Sequence, residues 1–139
     1  MNRYTYDEIK VGQSESFTVK ITEDMLDSFE KITGDVNPLH NSVDYAVSRG
    51  FSGRVCYGML TSAFLSTLAG VYLPGEKSFI HSVRINYMKP VTIGDTLTVS
   101  GTVKEKDERF RIITLKTDIY DDKERKVVRG IMTVGVRDE

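Results

Sequence analysis

The sequence predicts an α+β fold in which a curved antiparallel sheet wraps around one long buried helix. Three observations predict it. Four alternating segments, Ser78 to Lys89, Thr96 to Lys104, Arg111 to Tyr120 and Lys126 to Val136, follow one another through short polar turns, the pattern of an antiparallel meander. Met59 to Leu73 is apolar nearly all round, through Met59, Leu60, Ala63, Phe64, Leu65, Leu68, Ala69 and Val71, and a helix of that kind is buried on most sides. The length of 139 residues favours one domain, 1–139, with one core. A globule of this size buries roughly two-thirds of the surface its unfolded chain exposes. The helix needs a concave apolar surface to lie in, and a curved sheet supplies one.

The elements follow in order. Ser16 to Ile21 alternates, with Phe17, Val19 and Ile21 against Ser16, Thr18 and Lys20, which predicts a half-buried strand. Thr22 can cap a helix whose first turn holds Glu23 and Asp24, favourable at the positive end of the helix dipole. Met25, Leu26, Phe29 and Ile32 give that helix one apolar face, and Gly34 ends it. Ser42 to Ser48 is a short helical turn, and Gly50, Gly53 and Gly58 punctuate the loop beyond it. Pro74-Gly75 stops the long helix. In the first long strand Phe79, His81, Val83, Ile85 and Tyr87 share one face. Pro90 and Gly94-Asp95 mark a turn. Leu97, Val99 and Val103 then share one face of the next strand, and Asp107-Glu108 and Asp121-Asp122-Lys123 turn the chain between the last ones.

Composition excludes several classes. Hydrophobic residues make up 40% and charged residues 28%, which is a globular rather than a disordered balance. The net charge of −1 lacks the basic surplus of a nucleic-acid-binding surface. Met59 to Leu73 is interrupted by Thr61, Ser62, Ser66, Thr67 and Gly70, too short and too polar for a bilayer. The polar start of the chain has no apolar signal core. The single cysteine, Cys56, fits a reducing compartment. A cytoplasmic protein is expected. Two histidines and one cysteine without ligand spacing argue against a metal site, and no phosphate-binding glycine loop is present.

The chemistry concentrates in Gly34-Asp35-Val36-Asn37-Pro38-Leu39-His40. Asp35, Asn37 and His40 place a carboxylate, an amide and an imidazole at fixed separation, with Pro38 stiffening the backbone between them. Such a set can position one water and move its protons. Partial burial against apolar walls tunes an acid and an imidazole for that task near neutrality. Taken singly, Asp35 and His40 read rather as parts of an Asx-rich loop, and it is the whole run that points to function.

A second cluster is Cys56-Tyr57-Gly58-Met59-Leu60, at the start of the long helix. The first amides of a helix are unpaired and electropositive. A glycine allows close approach to the backbone. The Gly58 N–H is therefore a candidate donor to an oxygen that gains negative charge during a reaction. Ser66 falls two helical turns further on among apolar neighbours. Its hydroxyl either bonds the carbonyl four residues back or meets substrate and water. His81 reads as a core or interface histidine, and Cys56 as a small buried residue. Arg84, Lys89, Arg109 and Arg111 could contact phosphate groups, but each taken singly reads rather as a solvated strand cation.

The chain resembles the MaoC-like hot-dog dehydratases, of the (R)-specific enoyl-CoA hydratase type, from about Ser16 to Val136. The resemblance rests on Asp35-Val36-Asn37-Pro38-Leu39-His40, Tyr45-Ala46, Gly50-Phe51, Gly58-Met59-Leu60 and Leu73-Pro74-Gly75. It implies the hot-dog fold, Asp35 and His40 as catalytic pair, Asn37 as an aid in holding the water, Gly58 as oxyanion donor and Ser66 as a lining residue. It implies hydration of a trans-2-enoyl thioester of coenzyme A or acyl carrier protein, or the reverse dehydration, with no cofactor. Because edge strands would stay exposed in a monomer, a homodimer or higher homo-oligomer is expected. The chain departs from the family at Tyr57, where His-Gly-Met is usual and Tyr57-Gly58-Met59 stands. The alternatives are a hot-dog thioesterase and a non-catalytic acyl-thioester-binding protein.

Overall fold

The computed structural model describes residues 1–138. Five strands form one antiparallel sheet in the order β1-β3-β4-β5-β2. They are β1 Ser14–Lys20, β2 Ser78–Tyr87, β3 Thr96–Asp107, β4 Ile112–Tyr120 and β5 Lys126–Val136. Between β1 and β2 lie the helices α1 Glu23–Thr33, α2 Pro38–Asn41, α3 Val43–Ser48 and α4 Gly58–Thr67, the last continued by a π turn over Leu68–Tyr72. The predicted α+β plan holds, and α1 is capped as expected. The Thr22 hydroxyl accepts from the Met25 amide at 3.3 Å, and Gly34 closes the helix at φ 72° in the left-handed region that glycine tolerates.

The sheet departs from a simple meander. β3, β4 and β5 are consecutive neighbours, but β2 pairs with β5 and β3 pairs with β1. The segment between β2 and β3 keeps the expected turn at Gly94-Asp95, where the Asp95 amide donates to the Thr92 carbonyl at 3.2 Å, but it runs as a crossover between strands that are not neighbours. Burial of Val91 draws it under the helical half. There the Cys56 amide donates to the Val91 carbonyl at 2.7 Å, and Gly94 donates to Ile21 at 2.8 Å.

Two further expectations need correction. The register of β2 shifts between Ile80 and Ser82, so His81 is the extra residue of a bulge. Phe79 lies opposite Gly135 on the outer face, whereas Val83, Ile85 and Tyr87 lie opposite Met132, Gly130 and Val128. His81 folds over Gly135, whose missing Cβ would stand 2.7 Å from its Nε2. The five residues therefore do not share one face. Secondly, α4 is buried on its sheet side only. Thr61, Ser62 and Leu65 are buried, while Met59 is 68% exposed and Ala63 and Ser66 are open. One sheet can cover only one side of a helix.

That sheet side is fitted closely. Gly101, Thr117 and Gly130 stand opposite one another on β3, β4 and β5. A Cβ on Gly101 would lie 2.7 Å from Leu68 Cδ2. The glycines thus open the trough that receives the helix. Leu65, Leu68, Leu97, Val99, Leu115 and Met132 fill it and are almost wholly buried. No helix among the described residues is long and apolar enough to cross a membrane.

Candidate active site

α1 delivers the chain into the Asp35–His40 run, where side chains shape their own backbone. Asp35 Oδ1 accepts from the Asn37 amide at 3.1 Å, and Asn37 Oδ1 accepts from the Leu39 amide at 2.9 Å. Asn37 is therefore the N-cap of α2, with Pro38 at its first position. Its side-chain oxygen is engaged in that cap. The Asp35 residue is exposed in the protomer, so the partial burial expected for it is not supplied by this chain.

His40 is held on two sides. Its Nδ1 lies 2.7 Å from the Val55 carbonyl oxygen. A carbonyl only accepts, so Nδ1 carries a proton and the neutral ring keeps Nε2 as its free basic nitrogen. The His40 carbonyl accepts from Arg54 Nε at 2.7 Å. The buried Arg54 guanidinium also pairs with Asp27 at 2.7 Å and Glu23 at 3.3 Å. This arginine ties the His40 backbone to α1, and sequence reasoning missed it.

Tyr57 lies between the two predicted catalytic residues. Its hydroxyl donates to the Asp35 carbonyl at 2.8 Å. Its ring stacks on His40 at 4.0 Å between centroids, and packs on Phe29 at 4.9 Å. Burial, and then the Glu30 and Asp35 carboxylates, push its phenol above the usual range, so it remains a neutral donor. Cys56 is buried as expected, and burial raises its thiol too.

Gly58 opens α4. The Tyr57 carbonyl takes the Leu60 and Thr61 amides at 3.1 and 3.0 Å, and the Gly58 amide finds no acceptor among the described residues. A Cβ here would stand 3.1 Å from Tyr87 Cε1. The Tyr87 hydroxyl lies 2.9 Å from Ser62 Oγ. His40, Cys56, Gly58, Thr61, Tyr87 and Lys89 line one cavity of about 330 Å³. Asp35, Asn37 and Ser66 do not line it. Ser66 sits on the open stripe of α4 with Met59 and Ala63. The buried hydroxyls of Thr61 and Ser62, three and four residues after Gly58 on the sheet side, were missed. Their helical spacing from Gly58 was the available signal.

Of the cations considered, Lys89 reaches this cavity, whereas Arg111 pairs with Asp138 at 2.6 Å. An imidazole with a free nitrogen and an unpaired helix-start amide thus face one space. They can move a proton and hold a developing negative charge there.

A sheet packed against one side of a central helix, with the helix start opening into a cavity, makes this a hot-dog protein. An unliganded R-hydratase of Pseudomonas aeruginosa matches with a TM-score of 0.92 and 30% identity, over 97% of this chain and 86% of that one. The (R)-hydratase of A. caviae involved in PHA biosynthesis matches with a TM-score of 0.89 and 28% identity, over 92% and 97%. Residues 7–124 match the family model for the MaoC like domain, and the chain belongs to that family. It is 34% identical over 112 residues to the (R)-specific enoyl-CoA hydratase of Rhodospirillum rubrum, covering 81% of this chain and 78% of that protein. It is 33% identical over 100 residues to the 3-hydroxybutyryl-CoA dehydratase of Methylorubrum extorquens, covering 72% and 64%.

Proposed function

We propose that the protein adds water to a trans-2-enoyl thioester to give the (R)-3-hydroxyacyl thioester, or runs the reverse dehydration. The observation that carries this reading is the shared cavity of His40 and Gly58, with a hydrogen bond that leaves His40 Nε2 free. The names of the relatives in Rhodospirillum rubrum and Methylorubrum extorquens support it.

Water held by Asp35 and His40 loses a proton to one of them as its oxygen attacks C3. The double-bond electrons move toward the thioester oxygen, and the Gly58 N–H stabilises the enolate that forms. The proton that the water gave up is then relayed to C2 by way of the other group, so the base is restored and the elements of one water are added. The chemistry is proton transfer throughout and needs no cofactor. The thioester is carried by coenzyme A or acyl carrier protein. The protein acts in the cytoplasm, as one domain over residues 1–139.

A homodimer completes the site in this reading. β2 is an edge strand at the end of the sheet, and Phe79, Val83 and Tyr87 on it are exposed. Open edges of this kind invite pairing. Pairing β2 with its copy would cover that edge and bring the two α4 stripes together. The acyl tunnel would then be closed by the partner, with Asn37 near the bound water and Ser66 lining it.

Loss of enoyl absorbance with crotonyl-CoA, followed by chiral analysis, tests the reading. The expected product is (R)-3-hydroxybutyryl-CoA. Release of free thiol instead of hydration, or no turnover of short and longer enoyl-CoAs by the folded protein, would overturn it.

A further inference from the structure

We infer that Tyr57 is a positioning residue that couples the two proton-handling groups to the oxyanion amide, acting through Asp35 and His40 rather than on substrate. The inference rests on the hydratase reading. Three site elements converge on this one side chain and its backbone. The hydroxyl holds the Asp35 carbonyl at 2.8 Å, the ring stacks on His40, and the Tyr57 carbonyl begins the hydrogen-bonding of α4 next to Gly58.

The other bonds at the Asp35 loop are local. The Asp35 amide donates to Thr33 Oγ1 at 3.2 Å. Asp35 Oδ1 accepts from Asn37, and Asn41 Nδ2 donates to the Val36 carbonyl at 3.3 Å. These shape the loop but do not place it against the start of α4. The Tyr57 hydroxyl spans 22 residues of sequence to do so. His40 is fixed from its far side by Val55 and Arg54, and the Tyr57 ring closes the near side. A buried phenol must satisfy its O–H, so this strut is kept wherever the ring stays in place. Positioning of this kind acts on turnover more than on binding, because proton transfer is sensitive to small displacements of the reacting groups.

Two variants and two measurements test it. In Tyr57→Phe the ring contacts stay and the strut is lost, so kcat for crotonyl-CoA falls about tenfold or more while KM stays within about twofold. Tyr57→Leu also loses the stacking and falls further. In an Asp35→Asn background, Tyr57→Phe adds less than about a threefold loss, because the strut then holds a group that no longer reacts. Wild-type kcat in Tyr57→Phe, or an undiminished effect in the Asp35→Asn background, would overturn the inference. Hydrogen exchange gives a readout independent of activity. The Asn37 amide, bonded to Asp35, should lose protection in Tyr57→Phe relative to Leu115 in β4. Unchanged protection at Asn37 would overturn the strut. Absence of hydration by the wild-type protein would overturn the hydratase reading instead, and the exchange comparison would still judge Tyr57.

Discussion

His40 and Asp35 reach their places by different means, and their substitutions separate the two. His40 is pinned by a side-chain bond to Val55 and a backbone bond from Arg54. Asp35 sits in a self-capped, exposed loop. In both His40→Gln and Asp35→Asn kcat should fall by about 10²–10⁴, and Asp35→Asn should leave the melting temperature unchanged because the residue is exposed and an amide oxygen can still accept from Asn37. Steady-state rates and thermal melts on the same samples check this. Gly58→Ala should also lose activity, since its Cβ meets the Tyr87 ring at 3.1 Å. A separate prediction concerns acid. Burial pushes the Asp121 carboxyl up, but bonds from Arg125 and the Lys123 amide outweigh it and hold it below the usual range. Its unfolded value is about 3.9. The stability it contributes is therefore complete above that pH and lost as pH falls through the lower folded value. Melting temperature should drop below about pH 4, and Asp121→Asn should flatten that drop while lowering stability at neutral pH.

At the scale of elements, the seat of α4 is set by what the strands omit. Gly101 and Gly130 flank Thr117 across three strands, and Leu68 occupies the space a Gly101 side chain would need. Gly101→Ala should overpack the trough and cost about 1–3 kcal/mol, read as a lower midpoint in urea with an unchanged slope. Since α4 carries Gly58, activity should fall along with stability. A midpoint equal to wild type would show that Leu68 moves aside freely. The bulge at His81 is the other decisive detail. It turns Phe79 outward and Val83 inward within one strand, so the apolar residues of β2 are divided between two faces. The crossover after β2 follows the same logic, for Val91 gains burial and a bond to Cys56 that a hairpin would not give.

The molecule as a whole is open on one side. The Met59, Ala63 and Ser66 stripe of α4 and the edge of β2 are uncovered, and Val83 is 42% exposed although it lies opposite the buried Met132. These surfaces are where a second copy would pair in the proposed dimer. Light scattering after size exclusion should therefore give twice the chain mass of 15.7 kDa. Val83→Lys should shift the population toward monomer by placing charge on the edge. The monomer should lose turnover while keeping its own core, because the cavity side chains remain and the proposed tunnel is unclosed. A monomeric wild type with full activity would remove the dimer from the mechanism.

Much of this was legible in residues that act locally. Thr22, Gly34 and Ser42 end or begin helices through bonds to their own neighbours. The alternation of Leu97, Val99 and Val103 marks the inner face of β3 because side chains on a strand repeat every second residue. Gly58 could be placed at a helix start, and Asp35 and His40 in one rigid run, from spacing and proline alone. What stayed hidden depends on segments far apart in the chain. No local pattern tells β2 to pair with β5, puts His81 in a bulge over Gly135, leaves Asp35 outside the cavity that His40 lines, or brings the Tyr57 hydroxyl to Asp35. Capping and periodicity are properties of a few consecutive residues, so the amino-acid order specifies them. Strand partners, the free nitrogen of His40 and the exposure of each side chain are set by which distant surfaces come together, and these the packed chain alone decides.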